Sequence, residues 1–400
     1  MLKKVLAILL VVATICSLAA CGKKDSETYD DYSIGLDANG FYETLSDNEK
    51  NVSASNIKIK TEEIIAWGAK QLETKDTSVD EYVKDFTREI LVNIGAANKE
   101  VAAEGDLATL QLDFYLDGKQ LKEFYGTNTF SVSAESDELI KSVIGHKMND
   151  EYETQYTFPA DDVDYPSKTA TVKVKVVEVL YGDPLTEDIV KAHLEDINKV
   201  VDNVTDVASL LKNIRPNVAK ALLFDYISEY IQNDGSVEVP QEYVDYELYR
   251  LKARLQKVEY TYEDYLEASK VTHEDTLKEC EKFARENFFI MLYAKQNNLE
   301  VKNDYIDMYY GDSKETGVNV QGLPYMKLTV LRELAIYKMM SEVTLLDDEG
   351  NKIEIEAVNP FDEALKNSAE NTGAVEDTTS TDKNKDTEGS KTETSSSSNQ

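Results

Sequence analysis

EGDLATLQLDFYLDG, residues 104–118, alternates apolar and polar side chains and then closes with a turn pair. Leu110, Leu112 and Phe114 fall on one face of this stretch, and Gln111 falls on the other. A period of two residues is typical of a half-buried strand, because successive side chains point to opposite faces. The final Asp-Gly pair tolerates positive φ and predicts a hairpin turn. The stretch therefore predicts the first hairpin of a sheet.

The clearest strand pattern lies further along, in TATVKVKVVEV at residues 169–179, where valines alternate with lysines. Further strands are expected at 129–133 and 151–158, and a short helix is expected at 137–144. The order is strand, turn, strand, short helix, strand, loop, strand. This order fits one small α+β domain, which we place at residues 104–182.

Six short segments give this order a family resemblance. They are Glu104-Gly105-Asp106, Asp113-Phe114, Asp117-Gly118, Ile144-Gly145-His146-Lys147, Phe158-Pro159 and the strand at 172–179. Together they resemble the FKBP-type peptidyl-prolyl isomerase domain, in the form found inside bacterial trigger factor. The resemblance implies a small antiparallel sheet with one short helix. It also implies an apolar pocket that isomerises X-Pro bonds without a nucleophile, metal or cofactor.

The resemblance places the walls of that pocket on particular residues of this chain. They are Phe114, Phe130, Leu139, Tyr165 and Val172, with Leu121 or Phe124 after the first hairpin. The family has aromatic residues where this chain has Leu139 and Val172. Its substrate-binding tyrosine falls on Asp162 in strict register, with Tyr165 as the nearby alternative. Two interpretations stay open: the domain retains isomerase activity, or it has become a binding scaffold.

Helical patterns replace strand patterns from residue 183 to residue 358. A helix that opens at 183–188 is followed by others, with short extended inserts at 237–240 and 298–301. This order resembles the C-terminal helical chaperone domain of trigger factor, of the kind also seen in SurA. The expected fold is therefore α+β, with the small sheet placed before an all-α chaperone domain.

Tyrosines are frequent in the expected helices of this region. Those that a client-binding cradle would use are Tyr243, Tyr246, Tyr249, Tyr262 and Tyr265. A tyrosine combines an apolar ring with a polar tip and suits adaptable contacts. The alternative is ordinary packing between helices, since a cradle needs several of these rings to be exposed together.

The first residues have the pattern of a bacterial lipoprotein leader. Lys3-Lys4 precede an apolar run at 5–18, and Leu18-Ala19-Ala20-Cys21-Gly22 follows. We expect a signal peptide at 1–20, a lipid on Cys21 and a protein held on the outer face of the cell membrane. The acidic, weakly patterned residues 21–55 are expected to be a tether.

Two helices, capped by Thr61 and Ser78, are expected in a linker at 56–103. Residues 367–400 contain mainly Ser, Thr, Asp, Glu and Lys and are expected to be disordered.

The formal net charge of −33 argues against nucleic acid as a partner, since phosphate backbones attract basic surfaces. His146, His193 and His273 lack the spacing of a metal site, and Cys280 lacks an orienting partner for catalysis. No phosphate-binding loop or Ser-His-Asp order is present. A ribosome-docking loop of the trigger factor kind is also missing, so no ribosome is expected as a partner.

These patterns favour a membrane-anchored folding factor that binds unfolded or newly secreted polypeptides. The alternative is a non-enzymatic surface or binding lipoprotein that keeps only the scaffold. A transporter's substrate-binding lipoprotein is disfavoured, because the alternating βαβ units of its two lobes are absent.

Overall fold

The computed structural model describes residues 29–46, 51–72, 77–356 and 359–373, the last range with side chains as far as residue 366. The predicted signal peptide, the lipidation residue Cys21 and residues 374–400 of the predicted tail lie outside these ranges. The chain divides into two compact units, residues 1–357 and residues 358–400. Among the described helices, none combines the length and the apolar character needed to cross a membrane.

Strands and helices alternate early in the described chain, and helices dominate its later part. The strands are β1 (Lys58–Lys60), β2 (Leu107–Leu116), β3 (Lys119–Gln120), β4 (Gly126–Ser131), β5 (Glu151–Thr157), β6 (Thr169–Leu180), β7 (Thr344–Leu346) and β8 (Lys352–Ile353). The helices before the tyrosine-rich region are α1 (Thr61–Lys70), α2 (Val79–Asn93), α3 (Glu138–Lys141), α4 (Glu187–Ala192), α5 (Leu194–Ile197), α6 (Val207–Asn213) and α7 (Arg215–Asn233). The later helices are α8 (Gln241–Lys257), α9 (Tyr262–Ser269), α10 (His273–Gln296), α11 (Asn303–Tyr310), α12 (Lys314–Gln321), α13 (Leu323–Met340) and α14 (Pro360–Gly373). Single 3-10 turns lie at Lys122–Phe124 and Gly311–Ser313.

The sheet domain, β2 to β6 with α3, is antiparallel throughout. Strands β2 and β6 are central. Strand β5 pairs with the edge of β6 that faces away from β2. Strands β3 and β4 both pair with the edge of β2 that faces away from β6. Each expected strand is present within a few residues of its predicted bounds, and the short expected helix is α3. A small antiparallel sheet with one short helix is thus what these residues form.

The pairing of β2 with β6 explains why their two alternating patterns fold together. The residues buried on the shared face are Ala108, Leu110, Leu112, Phe114, Ala170, Val172, Val174 and Val176. The register shifts once, because Thr109 lies opposite Glu178 whereas Leu110 lies opposite Val176. Val177 is therefore an extra residue in a β-bulge, and it is 39% exposed.

The helical body, made of β1, α1, α2, α4 to α13, β7 and β8, comes from two separated stretches of sequence. Strand β1 pairs in parallel with β7, which pairs with β8. Ile64 and Ile65 of α1 and Leu91 of α2 are fully buried in the same core as α7, α10 and α13. Helices α1 and α2 are therefore part of the helical body and do not form the separate linker that was expected.

The structure confirms one of the two predicted N-cap residues, Ser78, and corrects the other, Thr61. Ser78 caps α2, since its Oγ accepts a hydrogen bond from the Glu81 N–H at 3.2 Å. Thr61 is the first residue of α1, which Lys60 precedes as cap residue. The Thr61 hydroxyl donates to the carbonyl of Leu346 at 3.0 Å, because β1 and β7 pair beside it.

Residues 29–46 form a segment that packs on the helical body. Tyr32, Leu36, Tyr42 and Leu45 of this segment are all less than 9% exposed. The expectation of a tether over 21–55 is therefore wrong for its described part. The apolar residues lie at irregular spacing among acidic ones, so neither a helical nor a strand periodicity in the sequence predicts that they are buried.

Helix α14 belongs to the second unit and extends into the tail that was expected to be disordered from residue 367. Pro360 is its first residue, and Asp362 and Glu363 lie in its first turn. Both features favour the start of a helix, which the tail's overall composition did not indicate.

A buried carboxylate connects three helices of the helical body. Glu286 of α10 is 3% exposed and accepts hydrogen bonds from Ser228 and Gln232 of α7. Arg332 of α13 donates its Nε hydrogen to Oε1 of Glu286 at 2.7 Å. A buried charge is tolerated only when it is paired and hydrogen-bonded, and Glu286 meets both conditions.

We expect Glu286→Ala to lower the free energy of unfolding by roughly 2–4 kcal/mol, because it leaves the Arg332 guanidinium without its partner. Glu279→Ala is the control on the same helix, where the exposed Glu279 pairs with Lys282. Urea unfolding followed by helical circular dichroism measures both. Equal midpoints for the two variants would contradict the structural role of Glu286.

Candidate functional site

An aromatic cavity of about 400 Å³ opens in the sheet domain. Its lining residues are Leu112, Phe114, Glu123, Phe124, Tyr125, Gly126, Asn128, Phe130, Asp137, Leu139, Ile140, Tyr156, Phe158 and Asp162. They belong to β2, the 3-10 turn, β4, α3, β5 and the connections beside them. A mostly apolar cavity of this size with a few polar groups is typical of a ligand site.

The rings of the cavity form one connected cluster. The Phe114 centroid lies 5.6 Å from that of Phe124 and 5.7 Å from that of Tyr156. Phe158 lies 5.3 Å from Phe124 and 5.2 Å from Tyr156. Tilted and edge-to-face pairs at these distances are favourable. Phe114 is 7% exposed whereas Phe124 is 36% exposed, so the cluster runs from a buried floor to an open rim.

The strand pattern accounts for this arrangement. Leu112 and Phe114 alternate onto the buried face of β2, and β4 adds Phe130 opposite Ala108. Strand β5 carries Tyr156, two residues before Phe158 at its end. Residues two apart in a strand share a face, so these rings converge over one side of the sheet.

A loop after β5 is fixed to the rim by one side-chain bond. The Tyr165 hydroxyl donates to Oε1 of Glu123 at 2.6 Å, which joins the loop to the 3-10 turn. This hydrogen bond lowers the pKa of Glu123 and raises the pKa of Tyr165. Asp162 orders the loop from within, since its Oδ1 accepts from the backbone N–H of Asp164 and of Tyr165.

The charges at the cavity are all acidic. Glu123, Asp137 and Asp162 line it, and no lining side chain among the described residues is basic. Burial raises the pKa of Tyr156, and the nearby carboxylates of Asp137 and Asp162 add to the rise. A tyrosine is protonated at neutral pH, so the Tyr156 hydroxyl is able to donate a hydrogen bond to a carbonyl.

The structure brings together some of the wall residues expected from the sequence. Phe114, Phe130 and Leu139 line the cavity, as does Phe124 of the two candidates after the first hairpin. Val172 does not line it, because it is fully buried in β6, beside Phe114 on the same face of the sheet.

Tyr165 packs behind the rim and does not line the cavity, whereas Asp162, the alternative in strict register, does. Sequence reasoning missed Tyr156 and Tyr125. The alternation of Tyr152, Tyr156 and Phe158 along β5 was a signal for the first of these.

The tyrosines expected to bind clients do not form an exposed patch. Tyr243 and Tyr262 are buried, and Tyr246, Tyr249 and Tyr265 are half-buried. Tyr243 stacks on Tyr42 of the segment 29–46 with the ring centroids 3.9 Å apart, and Tyr249 contacts Tyr29 edge-on with the centroids 5.0 Å apart. Tyr262 is instead hydrogen-bonded to Nδ1 of His273 at 2.9 Å. The expectation of an open tyrosine cradle is therefore wrong for this arrangement of the chain.

Cys280 and His146, which were also considered as reactive residues, both pack against neighbouring side chains. Cys280 is 4% exposed, and burial raises the pKa of its thiol to about 12, which leaves it unreactive at neutral pH. His146 lies in a turn, where its ring stacks on Tyr152 at 3.8 Å.

A second cavity, of about 370 Å³, is lined by Glu62, Leu211, Lys212, Arg215 and Asp348 of the helical body. Its main cation is already paired, since Arg215 donates to Glu62 and to Asp80. The aromatic cavity is therefore the stronger candidate site.

Comparison with known proteins finds trigger factors, and no family model matches the chain. The trigger factor of Levilactobacillus brevis is 25% identical over 224 residues, 52% of this chain and 51% of that protein. That of Cutibacterium acnes is 22% identical over 332 residues, 76% of this chain and 62% of that protein. That of Bacillus subtilis is 23% identical over 286 residues, 66% of this chain and 67% of that protein.

The matched region spans about half the length of the first of these relatives and under two thirds of the second. Among solved structures, one of the trigger factor chaperone covers 67% of this chain and 71% of that chain, at 16% identity and a TM-score of 0.30. The chain is therefore similar in sequence to trigger factors.

We expect Tyr165→Phe to loosen the loop at 159–168, because it removes the hydroxyl that holds Glu123. Hydrogen exchange at pH 7 should show faster exchange across this loop and unchanged exchange in β2 and β6. Tyr125→Phe is the matched control, since the Tyr125 hydroxyl accepts a bond from Gln111 elsewhere on the rim. Equal loop exchange in the two variants would show that the Tyr165 bond does not hold the loop.

Proposed function

We propose that this chain is a membrane-anchored, extracytoplasmic folding factor that binds unfolded exported polypeptides and isomerises their X-Pro bonds. The sheet domain would be the isomerase, with an FKBP-like layout, and the helical body would hold the client. The observation that carries the proposal is the aromatic cavity on β2, in a chain similar to trigger factors. Similarity to a chaperone family supports the client-binding part.

The cavity offers what the isomerisation needs. Rotation about the X-Pro bond is slow, with a barrier of about 18–20 kcal/mol, because the imide has partial double-bond character. Water stabilises the polarised, planar form through hydrogen bonds to the carbonyl. A floor of Leu112, Phe114, Phe130 and Leu139 removes that water and so favours the twisted imide.

One hydroxyl is placed to orient the substrate. Tyr156 lines the cavity, and its O–H is able to donate to a substrate carbonyl. The hydroxyl of Tyr165 already donates to Glu123, which makes it a loop contact. We therefore assign carbonyl recognition to Tyr156 and loop closure to Tyr165.

The alternative is a binding lipoprotein that keeps the scaffold without the catalysis. It is favoured by Leu139, an aliphatic side chain where the FKBP resemblance implies an aromatic floor. Against it, Phe124, Tyr156 and Phe158 supply aromatic walls, and the last two were not among the pocket residues expected from the sequence. We therefore favour the isomerase, and a measurement of prolyl isomerisation distinguishes it from a binding lipoprotein without catalysis.

The membrane anchor is supported by the leader alone. Lys3-Lys4, the apolar run at 5–18 and the small residues before Cys21 form the pattern that precedes lipidation. A diacylglycerol group on Cys21 would carry more than one acyl chain, which stable anchoring needs. The anchor would leave the rest of the chain on the outer face of the membrane.

The full-length chain in mild detergent should accelerate isomerisation of a proline tetrapeptide and of a refolding protein limited by proline. We expect Phe124→Ala and Phe130→Ala to lower kcat/KM by about tenfold or more, roughly 1.4 kcal/mol of transition-state stabilisation. Met148→Ala is the control in the same domain, since Met148 is 51% exposed and outside the cavity.

No acceleration on either substrate would remove the isomerase. Suppressed aggregation of an unfolded client by that same inactive sample would leave a chaperone that binds without catalysis. Failure of both assays would overturn the proposed function.

We expect Cys21→Ser to abolish labelling by radioactive palmitate and to move the protein from the membrane fraction to the soluble fraction. Cys280→Ser should retain both the label and the membrane fraction, because that thiol is buried in the helical body. A Cys21→Ser chain that stays labelled would contradict lipidation at this residue.

A further inference from the structure

The N-terminal segment, residues 29–46, lies along α8, α10 and α13 of the helical body. Main-chain groups of the segment are bound by side chains of these helices. Basic side chains donate to the carbonyls of Asp30, Tyr32, Ile34, Ala38 and Leu45. The donors are Lys257, Arg250, Lys327 and Lys295, with distances of 2.7–3.2 Å. These contacts are made to main-chain carbonyls, so they depend on the backbone shape of the segment, which turns back on itself with Leu36 bridged to Tyr42.

Three N–H groups of the segment are also bound by side chains of these helices. The amide of Tyr29 donates to Oε1 of Gln256 at 3.0 Å, and that of Asp30 to the Tyr249 hydroxyl at 3.1 Å. The amide of Tyr42 donates to the sulfur of Met291 at 3.2 Å. Binding of both donors and acceptors by side chains is a feature of peptide-binding grooves.

Arg250 is the centre of this groove. Its side chain is fully buried, donates to two carbonyls of the segment and pairs with the buried carboxylate of Glu247. Glu247 is held in turn by Asn287 of α10 at 2.8 Å. The ring of Tyr325 lies beneath the guanidinium, 5.4 Å away. The donor is therefore pre-organised by the helical body itself.

The ring contacts involve three residues that the sequence had suggested for client binding. Tyr243 stacks on Tyr42, Tyr249 meets Tyr29, and Tyr246 lies against Gly35. The segment thus covers the tyrosines of α8, and its removal would expose them together. Displacement would also relieve the Tyr42 hydroxyl, which is buried with no hydrogen-bond partner among the described residues.

Charge indicates which polypeptides would fit. The segment carries Asp30, Asp31, Asp37 and Glu43 and no basic residue. The groove presents Arg250, Arg254, Lys257, Lys295 and Lys327, while its carboxylate Glu247 is already paired with Arg250. An acidic polypeptide segment with aromatic residues therefore complements this surface.

We propose that α8, α10 and α13 form a second client-binding groove, for acidic polypeptide segments rich in aromatic residues, which the chain's own residues 29–46 occupy until a client displaces them. The inference rests on the proposed chaperone function and adds a site and a substrate class to it. The aromatic cavity and this groove would bind different parts of a client.

The test uses a glycine that the seated segment requires. A Cβ on Gly35 would lie 2.1 Å from Cε2 of Tyr246, and φ is +70° there, so Gly35→Ala should release the segment. Gly350→Ala is the matched control, because φ is +87° and nothing lies within 4 Å of the added Cβ. The probe is a fluorescent peptide of residues 29–46, with a second peptide in which its acidic residues become lysine.

We expect the full-length Gly35→Ala chain in mild detergent to bind the first peptide at least about tenfold more tightly than the wild type or Gly350→Ala. The lysine peptide should bind none of the three. Equal binding by Gly35→Ala and Gly350→Ala, with residues 29–46 open to protease only in the former, would overturn the proposal.

A second measurement on the wild-type chain covers the case in which Gly35→Ala does not fold. Saturation with reduced, carboxymethylated α-lactalbumin, an acidic unfolded protein, should raise deuterium uptake in 29–46 and lower it in α8. Unchanged uptake in both regions, with the client bound, would overturn the groove and leave the folding function intact. Failure to bind this client would overturn the groove as well, and absent isomerase activity in the same sample would remove the proposed function.

Discussion

The antiparallel pairing of β2 with β6 is the constraint on which the candidate site depends. Phe114 is paired with Val172, so a fully buried aliphatic side chain lies beside the floor of the cavity on the same face of the sheet. The same pairing leaves one edge of β2 to β4 and one edge of β6 to β5. Those two strands bring Phe130 and Tyr156 to the cavity, and the loops beside them add the rim. A change that breaks this pairing would therefore dismantle the walls and the floor together.

The helical body depends in a similar way on α10. Glu286 joins α10 to α7 and α13, and Phe288 to Ala294, which begin two residues later, are buried in the core. Met291 on the same helix contacts the N-terminal segment through the amide of Tyr42. One helix therefore organises the core and forms part of the proposed groove. Three tyrosines that the sequence suggested for client binding, Tyr243, Tyr246 and Tyr249, are instead covered by residues 29–46 of the same chain.

Local periodicity predicted the local parts of this structure well. The strands β2 and β6 and the helix α3 follow from short-range patterns. The wall residues Phe114, Phe130 and Leu139 were placed by the FKBP resemblance. Tyr165 was misplaced because its assignment depended on register in a loop, where no period exists. The burial of residues 29–46 was missed for a different reason: it rests on Arg250 and other residues some two hundred positions away, and no local pattern reports such contacts.

The central claim is that the aromatic cavity binds and isomerises prolyl peptides, and fluorine NMR of the chain labelled with fluorophenylalanine tests it most directly. Titration with a proline tetrapeptide should shift the signals of Phe114, Phe124, Phe130 and Phe158, all of which line the cavity. The cis and trans signals of the peptide should exchange at a rate that grows with protein concentration. Shifts confined to phenylalanines of the helical body, such as Phe288 and Phe289, or no exchange between the two peptide forms, would contradict the claim.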